Sequence, residues 1–278
     1  MCTTRTKILI AKILYFLVTL FLRKTKRQIV RSNIRYEVDL TEGIDLSVFL
    51  FGNFQKHITN NKLFSLPKNA IVFDVGANFG IMSLQFAKTA SYGHIYAFEP
   101  THYAFKRLLK NLQLNPTIAQ RINPIKSFLS DVTRKNPKIT AFSSWKVGGK
   151  IGGKLHPVHF GATKSTVGVG AITLDDFCRR EKITRIDFVK IDTDGHEYEV
   201  LKGATNTISK FRPVIIFEVG DYTLKEKNID FNFFLDYFFR LNYKLYDTKS
   251  SKKLTRENYY SVVPHLSTTD LIAIPNRD

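Results

Sequence analysis

An open α/β sheet of mainly parallel strands is the fold class that this 278-residue sequence predicts. Three observations point there. Ile71-Val72-Phe73-Asp74-Val75 is an almost continuous run of β-formers, as expected of a strand buried on both faces of a parallel sheet. That run enters the tight turn Gly76-Ala77-Asn78-Phe79-Gly80, and the turn enters a stretch with helical spacing of apolar residues, Ile81 to Lys88. Strand-like and helix-like segments then alternate as far as Phe217, the pattern of βαβ units.

Taken in chain order, the first element is the apolar run Ile8 to Leu22, fifteen residues interrupted by Lys12 and followed by Arg23-Lys24-Thr25-Lys26-Arg27. A bilayer span needs about 17–25 residues, so the run is short for one, and no small-residue cleavage site follows, so a cleaved signal peptide is not expected. The pattern fits an apolar helix lodged in the cytoplasmic leaflet, its basic flank on anionic headgroups, with a core-covering helix or a true span as the alternatives. Residues 1–35 are therefore read as a membrane-associating segment and residues 36–66 as an extension packing on the core. The main domain is read as 67–278, with a basic, glycine-rich insertion at about 132–170. The net charge is +18; the first 36 residues hold nine Lys and Arg, Val132 to Gly170 hold seven, and neither stretch contains an acid. The body between and beyond them is nearly neutral.

The strand-to-helix turn has the form of a nucleotide-type cofactor site, since its glycines let backbone approach a ligand and the helix N-terminus carries a positive dipole end. A second strand, His94-Ile95-Tyr96-Ala97-Phe98, ends in Glu99-Pro100, an acid placed to bind ribose hydroxyls. Dinucleotide sites and S-adenosylmethionine sites share that device. Asp74 before the turn would repel a pyrophosphate but suits a cationic amino group and a sulfonium, which favours S-adenosylmethionine over NAD. Asn123 to Leu129 reads as a further strand, and Ile186 to Asp192 as another, entering a turn at Thr193-Asp194-Gly195-His196-Glu197 and the helix Tyr198 to Gly203. Period-two alternation places Phe188, Lys190 and Asp192 on one face, and a lysine there must be paired or reach a cleft. Val214 to Phe217 is a strand ending in Glu218, Phe231 to Leu241 an aromatic helix that packs the core, and Tyr243 to Tyr246 and Asp270 to Ile274 the last two strands.

Together, Asp74-Val75-Gly76-Ala77-Asn78-Phe79-Gly80, Phe98-Glu99-Pro100, Leu129-Ser130-Asp131, Leu174-Asp175-Asp176-Phe177, Lys190-Ile191-Asp192-x-Asp194-Gly195-x-Glu197-x-x-Val200-Leu201-x-Gly203 and Pro213-x-x-x-x-Glu218 resemble the FkbM-type methyltransferases over about Leu66 to Val219. One departure is Asp194, where the family usually has glutamate. The resemblance implies a Rossmann-like class I methyltransferase: a seven-stranded, mostly parallel sheet with helices on both faces and an antiparallel last strand. It implies Asp74, Gly76, Ala77, Asn78 and Gly80 around the methionine part of S-adenosylmethionine, Glu99 and Pro100 at the ribose, and Ser130 and Asp131 near the adenine. It implies Asp192 beside the transferring methyl, supported by Lys190 and Glu197, with Glu218 a second carboxylate toward the acceptor. Each of these acids has an alternative reading as a strand-end cap of a neighbouring loop.

The expected reaction is methylation of a hydroxyl on a sugar, polysaccharide or glycolipid precursor at the cytoplasmic membrane face, with Asp192 as general base. A metal held by Asp192 and Glu218 is the competing mechanism, while no metal site is assigned and a zinc site at His156 and His159 is disfavoured for want of partner ligands. Nucleic acid is disfavoured as a partner because the basic tracts have few interleaved aromatics; an RNA methyltransferase and a non-catalytic, membrane-associated S-adenosylmethionine-binding module are the alternatives. The basic insertion is read either as a lid or, with slight preference, as a hairpin standing free of substrate. Two cysteines, Cys2 and Cys178, are too few for a disulfide framework and fit a reduced compartment.

Overall fold

The structure is a computed structural model that describes residues 4–52, 54–137, 139–149 and 153–276. Cys2 and four residues of the insertion, 138 and 150–152, lie outside the described residues. Seven strands form one sheet: β1 (Ile71–Val75), β2 (His94–Phe98), β3 (Ile122–Ile125), β4 (Phe188–Ile191), β5 (Val214–Val219), β6 (Tyr243–Asp247) and β7 (Thr269–Pro275). Their spatial order is β6-β7-β5-β4-β1-β2-β3. β7 runs antiparallel to both of its neighbours, whereas the pairings among β1 to β5 are parallel. The order reverses between β1 and β4, and this topological switch point opens a crevice at the carboxyl ends of the strands.

Adjacent residues of the central strands go to opposite sides, which explains their unbroken apolar runs. Phe73, Val189, Ile215 and Leu271 pack into one core with the helices Leu174–Arg180, Thr205–Phe211 and Asn232–Arg240. Val72, Phe188, Ile216 and Ile272 pack into the other, with the helices Ile81–Thr89 and His102–Gln113. Helices thus cover both faces.

The expected strand from Asn123 to Leu129 divides in two. Ile122–Ile125 joins the sheet, and after a turn in which Ser127 N–H donates to the Ile125 carbonyl, Phe128–Leu129 pairs in parallel with Ala171–Ile172. Pro124 lies in the sheet-forming part, at the edge of the sheet, where its missing N–H leaves no ladder bond unmade. The insertion lies between the two strands of this second pair, Phe128–Leu129 and Ala171–Ile172. Its strands Ala141–Trp145 and Gly161–Lys164 form an antiparallel hairpin.

Ahead of the sheet, Lys26–Arg31 and Ile34–Asp39 form a hairpin that runs across position 35, followed by the helix Gly43–Phe51. Asn33, with φ of 57°, occupies the left-handed turn that asparagine tolerates. The sequence does not reveal the hairpin, because its strand Lys26–Arg31 is mostly polar and alternates only between exposed and half-buried residues. The first helix, Thr4–Phe21, lays Ala11, Leu14, Tyr15 and Val18 on the core. No helix among the described residues is long and apolar enough to cross a membrane.

Gly76 joins the two central strands more closely than any side chain would allow. Its φ is 79°, and an added Cβ would stand 1.8 Å from the Asp192 carbonyl oxygen. Gly76→Ala is expected to destabilise the fold by about 2 kcal/mol or more, from left-handed strain and overlap together. Urea unfolding checks this, and a midpoint within error of the parent would contradict the close approach.

Candidate functional site

The crevice is walled by the turn after β1, the end of β2, the loop after β4 and the insertion. Gly76, Asn78, Glu99, Pro100, Asp192 and Asp194 all line one cavity of about 140 Å³. Ile44, Phe54, Met82, Phe98, Phe128 and Leu129 supply its apolar walls.

The turn is held by backbone. Gly76 and Ala77 N–H both donate to the Phe98 carbonyl, at 3.0 and 2.9 Å, so the first loop is stapled to the end of β2. Glu99, 6% exposed, accepts from Asn78 N–H through Oε2 (3.0 Å) and from Thr101 N–H (2.8 Å) and hydroxyl (2.6 Å) through Oε1. Burial pushes its pKa up against those hydrogen bonds. A carboxylate offers about four acceptor sites, so capacity remains on the side that faces the cavity. Thr101 also caps the next helix by accepting from Ala104 N–H at 3.1 Å. A threonine directly before an apolar-periodic run is a local signal from which that role can be found.

Beneath the turn lies a buried ion cluster. β1 and β4 pair with Lys190 opposite Asp74, so their side chains emerge together on one face. Lys190 Nζ stands 3.4 Å from Asp74 Oδ1 and 3.2 Å from Asp192 Oδ2. Burial opposes the lysine's charge, but the Asp192 and Asp74 carboxylates override it and hold its pKa above the ordinary value. Asp74, fully buried, also accepts from the Ser83 hydroxyl at 2.5 Å and stands under the cavity, outside its lining. Asp192 Oδ2 accepts a second hydrogen bond, 3.1 Å from Gln55 Nε2. Gln55 comes from a segment 137 residues upstream, and nothing in the sequence signalled it.

The remaining acids separate into two kinds. Asp194, with φ of 53°, opens onto the cavity and is exposed there; the protein packed around the site, then the Asp192, Glu197 and Glu99 carboxylates, raise its pKa above the ordinary carboxyl value. Glu218 accepts from the Thr268 hydroxyl at 2.6 Å. Burial, then the Asp192 and Asp270 carboxylates, raise its pKa well above the ordinary value, which favours a neutral, hydrogen-bond-donating carboxyl. Asp270, opposite Glu218 in the β5–β7 ladder, pairs with His57 Nε2 at 2.5 Å. Glu197 instead closes the loop in front of it: its Oε1 accepts from Thr193 N–H (2.8 Å) and hydroxyl (2.9 Å) and from Gly195 N–H (3.3 Å). Ser130 and Asp131 lie outside the cavity lining; Ser130 is buried, and Asp131 pairs with Lys202 at 3.6 Å. Ser127, Phe128 and Leu129 stand at the cavity in their place.

The insertion walls the crevice instead of standing free of it: Thr140, Phe142 and Ser144 reach the cavity. Its base is clamped by Glu42, fully buried, which accepts from Ser144 and Tyr103 hydroxyls at 3.0 Å each and lies 3.6 Å from Lys146 Nζ. His156 and His159 stack at 3.9 Å beneath Phe142, and His156 meets Glu226 at 3.1 Å. Among the described residues no group of three or more His, Cys, Asp or Glu is arranged to hold a metal ion.

Glu197 has a consequence for stability. Burial pushes its carboxyl up to about 7, against the Thr193 hydrogen bonds, from an ordinary value of 4.5. The folded chain therefore holds this proton more tightly than the unfolded chain. Its contribution to stability is complete below about 4.5 and is lost as the pH rises through about 7, a loss of about 3 kcal/mol. Glu197→Gln, which keeps the accepting oxygen, is expected to flatten the decline in unfolding free energy between about pH 5 and about pH 8. Denaturant titrations across that range check it, and an unaltered slope would assign the proton elsewhere.

The sequence matches the methyltransferase FkbM domain over residues 74–245. It is similar to the hexuronic acid methyltransferase AglP of Haloferax volcanii, 27% identical over 52% of this chain and 54% of that protein. It is also similar to the 2-O-methyltransferase NoeI of Sinorhizobium fredii, 24% identical over 60% of this chain and 70% of that one. A crystal structure of methyltransferase FkbM from Methylobacillus flagellatus aligns with 76% of this chain and 45% of its own, at 17% identity and a TM-score of 0.48. The chain thus spans about half the length of the Haloferax and Methylobacillus proteins. With the FkbM domain matched across most of the sheet and over the crevice between β1 and β4, the chain belongs to the FkbM methyltransferase family.

Proposed function

We propose that this chain binds S-adenosylmethionine in the crevice and methylates a hydroxyl of a sugar, polysaccharide or glycolipid precursor. The observation that carries the reading is one cavity in which an acid at the end of β2, a glycine turn after β1 and a carboxylate after β4 converge. The residues fit the cofactor. Glu99 suits a ribose diol, the walls formed by Phe98, Phe128 and Leu129 suit a purine, and Asp192 and Asp194 suit cationic groups. Family membership supports the reaction class, and the names of the Haloferax and Sinorhizobium relatives support a sugar hydroxyl as acceptor. In this reading residues 67–278 are the catalytic unit, working at the cytoplasmic membrane face.

When bound, the cofactor supplies a methyl group on a sulfonium, an electrophile that needs no further activation. The acceptor oxygen must then be aligned with the S–CH3 bond and relieved of its proton, and alignment alone can lower the barrier by roughly 7–11 kcal/mol. Asp192 takes that proton. Its contacts to Lys190 and Gln55 both fall on Oδ2, and Oδ1 is the oxygen for the hydroxyl. Lys190 and Gln55 fix the carboxylate's orientation. Glu218, held by the Thr268 hydroxyl and outside the cavity lining, is given no contact to the acceptor in this reading. Asp74 serves beneath the turn, holding Lys190, and Glu197 orders the loop that carries Asp194.

Calorimetric titration with S-adenosylmethionine and NAD, paired with a methyl-transfer assay on uronic acid glycans, tests this. S-adenosylmethionine is expected to bind and NAD not. Glu99→Ala should weaken binding by about 10- to 100-fold, the range of a charge-assisted hydrogen bond. Asp192→Asn should keep the cofactor affinity within about threefold while lowering kcat by about 10²- to 10⁴-fold. Failure of the folded protein to bind S-adenosylmethionine would overturn the reading, and full activity of Asp192→Asn would remove Asp192 as the base.

A further inference from the structure

The helix Thr4–Phe21 has two apolar faces, and only one of them is covered. Leu14, Tyr15 and Val18 pack on the core. On the other side, Leu9, Ile10, Ile13, Phe16, Leu20 and Phe21 are between 51% and 85% exposed. Their spacing follows the helix repeat, so they form one continuous stripe. Scattered exposed leucines are ordinary in a protein surface, but a contiguous stripe of six large apolar side chains marks an interaction surface.

Charge identifies the occupant. Lys7, Lys12, Arg23, Lys24 and Lys26 are exposed on or next to this helix, within a stretch of 36 residues that contains no acid. An apolar stripe edged by cations alone complements a surface that is apolar within and anionic at its rim, which is an anionic lipid bilayer. A second copy of the same helix would bring like charges together.

Position ties the surface to the crevice. Tyr15 packs so tightly on the insertion that a Cβ on Gly148 would stand 2.3 Å from its ring, and Lys7 Nζ lies 3.4 Å from the Ser267 hydroxyl. Ser267 adjoins Thr268, which holds Glu218, and the insertion walls the cavity. The helix therefore touches the insertion that walls the cavity and, through Lys7, the segment that carries Ser267 and Thr268.

We propose that the outward face of the Thr4–Phe21 helix docks on an anionic membrane surface and sets the crevice beside it, so that the acceptor is a membrane-borne glycolipid. The docking surface stands on the structure alone; the nature of the acceptor rests on the methyl-transfer reading above. The helix lies in the interface, since it is neither long nor apolar enough to cross.

Sedimentation of the full chain with vesicles tests the docking. Vesicles of phosphatidylcholine with one third phosphatidylglycerol are expected to bind at least tenfold more tightly than phosphatidylcholine alone, with the difference lost in about 1 M salt. The triple variant Ile13→Glu, Phe16→Glu and Leu20→Glu should lose binding at least tenfold while its circular dichroism and S-adenosylmethionine affinity stay unchanged. Because a multiple variant can perturb folding, the pair Arg23→Glu and Lys24→Glu provides an independent arm, with binding reduced and its salt dependence weakened. Folded parent protein that remains in the supernatant with both vesicle types overturns the docking, as does a dimer, seen by light scattering, that the triple variant dissociates. Vesicle binding without cofactor binding would instead overturn the methyl-transfer reading and leave the docking standing. A glycolipid acceptor methylated no faster in vesicles than its free head group would overturn the membrane-borne acceptor.

Discussion

The buried cluster of Asp74, Lys190 and Asp192 is the interaction on which the site depends. Placing an ammonium group 2% exposed between two central strands is costly unless carboxylates meet it, and removing one member of such a group typically costs about 3–5 kcal/mol. The parallel register that sets Lys190 opposite Asp74 is therefore tied to charge compensation as well as to apolar packing. The same lysine reaches Asp192, so the energy that holds the two strands in register also orients the carboxylate at the cavity. Gly76 completes the arrangement by letting the two strand ends touch through backbone.

Around this cluster, acids of similar sequence context do different work, and burial decides which. Asp74 is enclosed and given to Lys190 and Ser83, while Glu197 is enclosed and given to a turn. Glu99 satisfies part of its capacity with backbone and Thr101 and still lines the cavity. Asp192 and Asp194 face the cavity with less enclosure. The crowding of Asp192, Asp270 and Asp194 around Glu218 raises the cost of its charge and favours a proton on Glu218.

Parts of the chain far apart in sequence complete the walls. Glu42 clamps the insertion, Gln55 holds Asp192, and His57 meets Asp270. None of these belongs to a local motif. The glycine-rich sequence of the insertion suits a free hairpin, yet Phe142 packs against His156 and His159 and, with Ser144, turns toward the cavity. An apolar residue or a serine within a glycine-rich tract gives no hint of which way it faces until the partner strand is known.

By itself the sequence determined the α/β alternation, the strand-turn-helix at Asp74 to Gly80, the strand ends at Glu99 and Asp192 and the family, because these follow from apolar period, glycine turns and local spacing. It also carried the basic apolar segment at Ile8 to Leu22, though it could not say that one side of that helix would be taken by the core. Only the tertiary structure decided that Asp74 lies beneath the cavity, that Glu197 closes a turn, that Ser130 and Asp131 stand aside and that Ser127 to Leu129 take their place. The physical reason is that a strand-end carboxylate is equally suited to a cation, a backbone donor or a ligand. Which one it meets depends on register and on segments more than a hundred residues away.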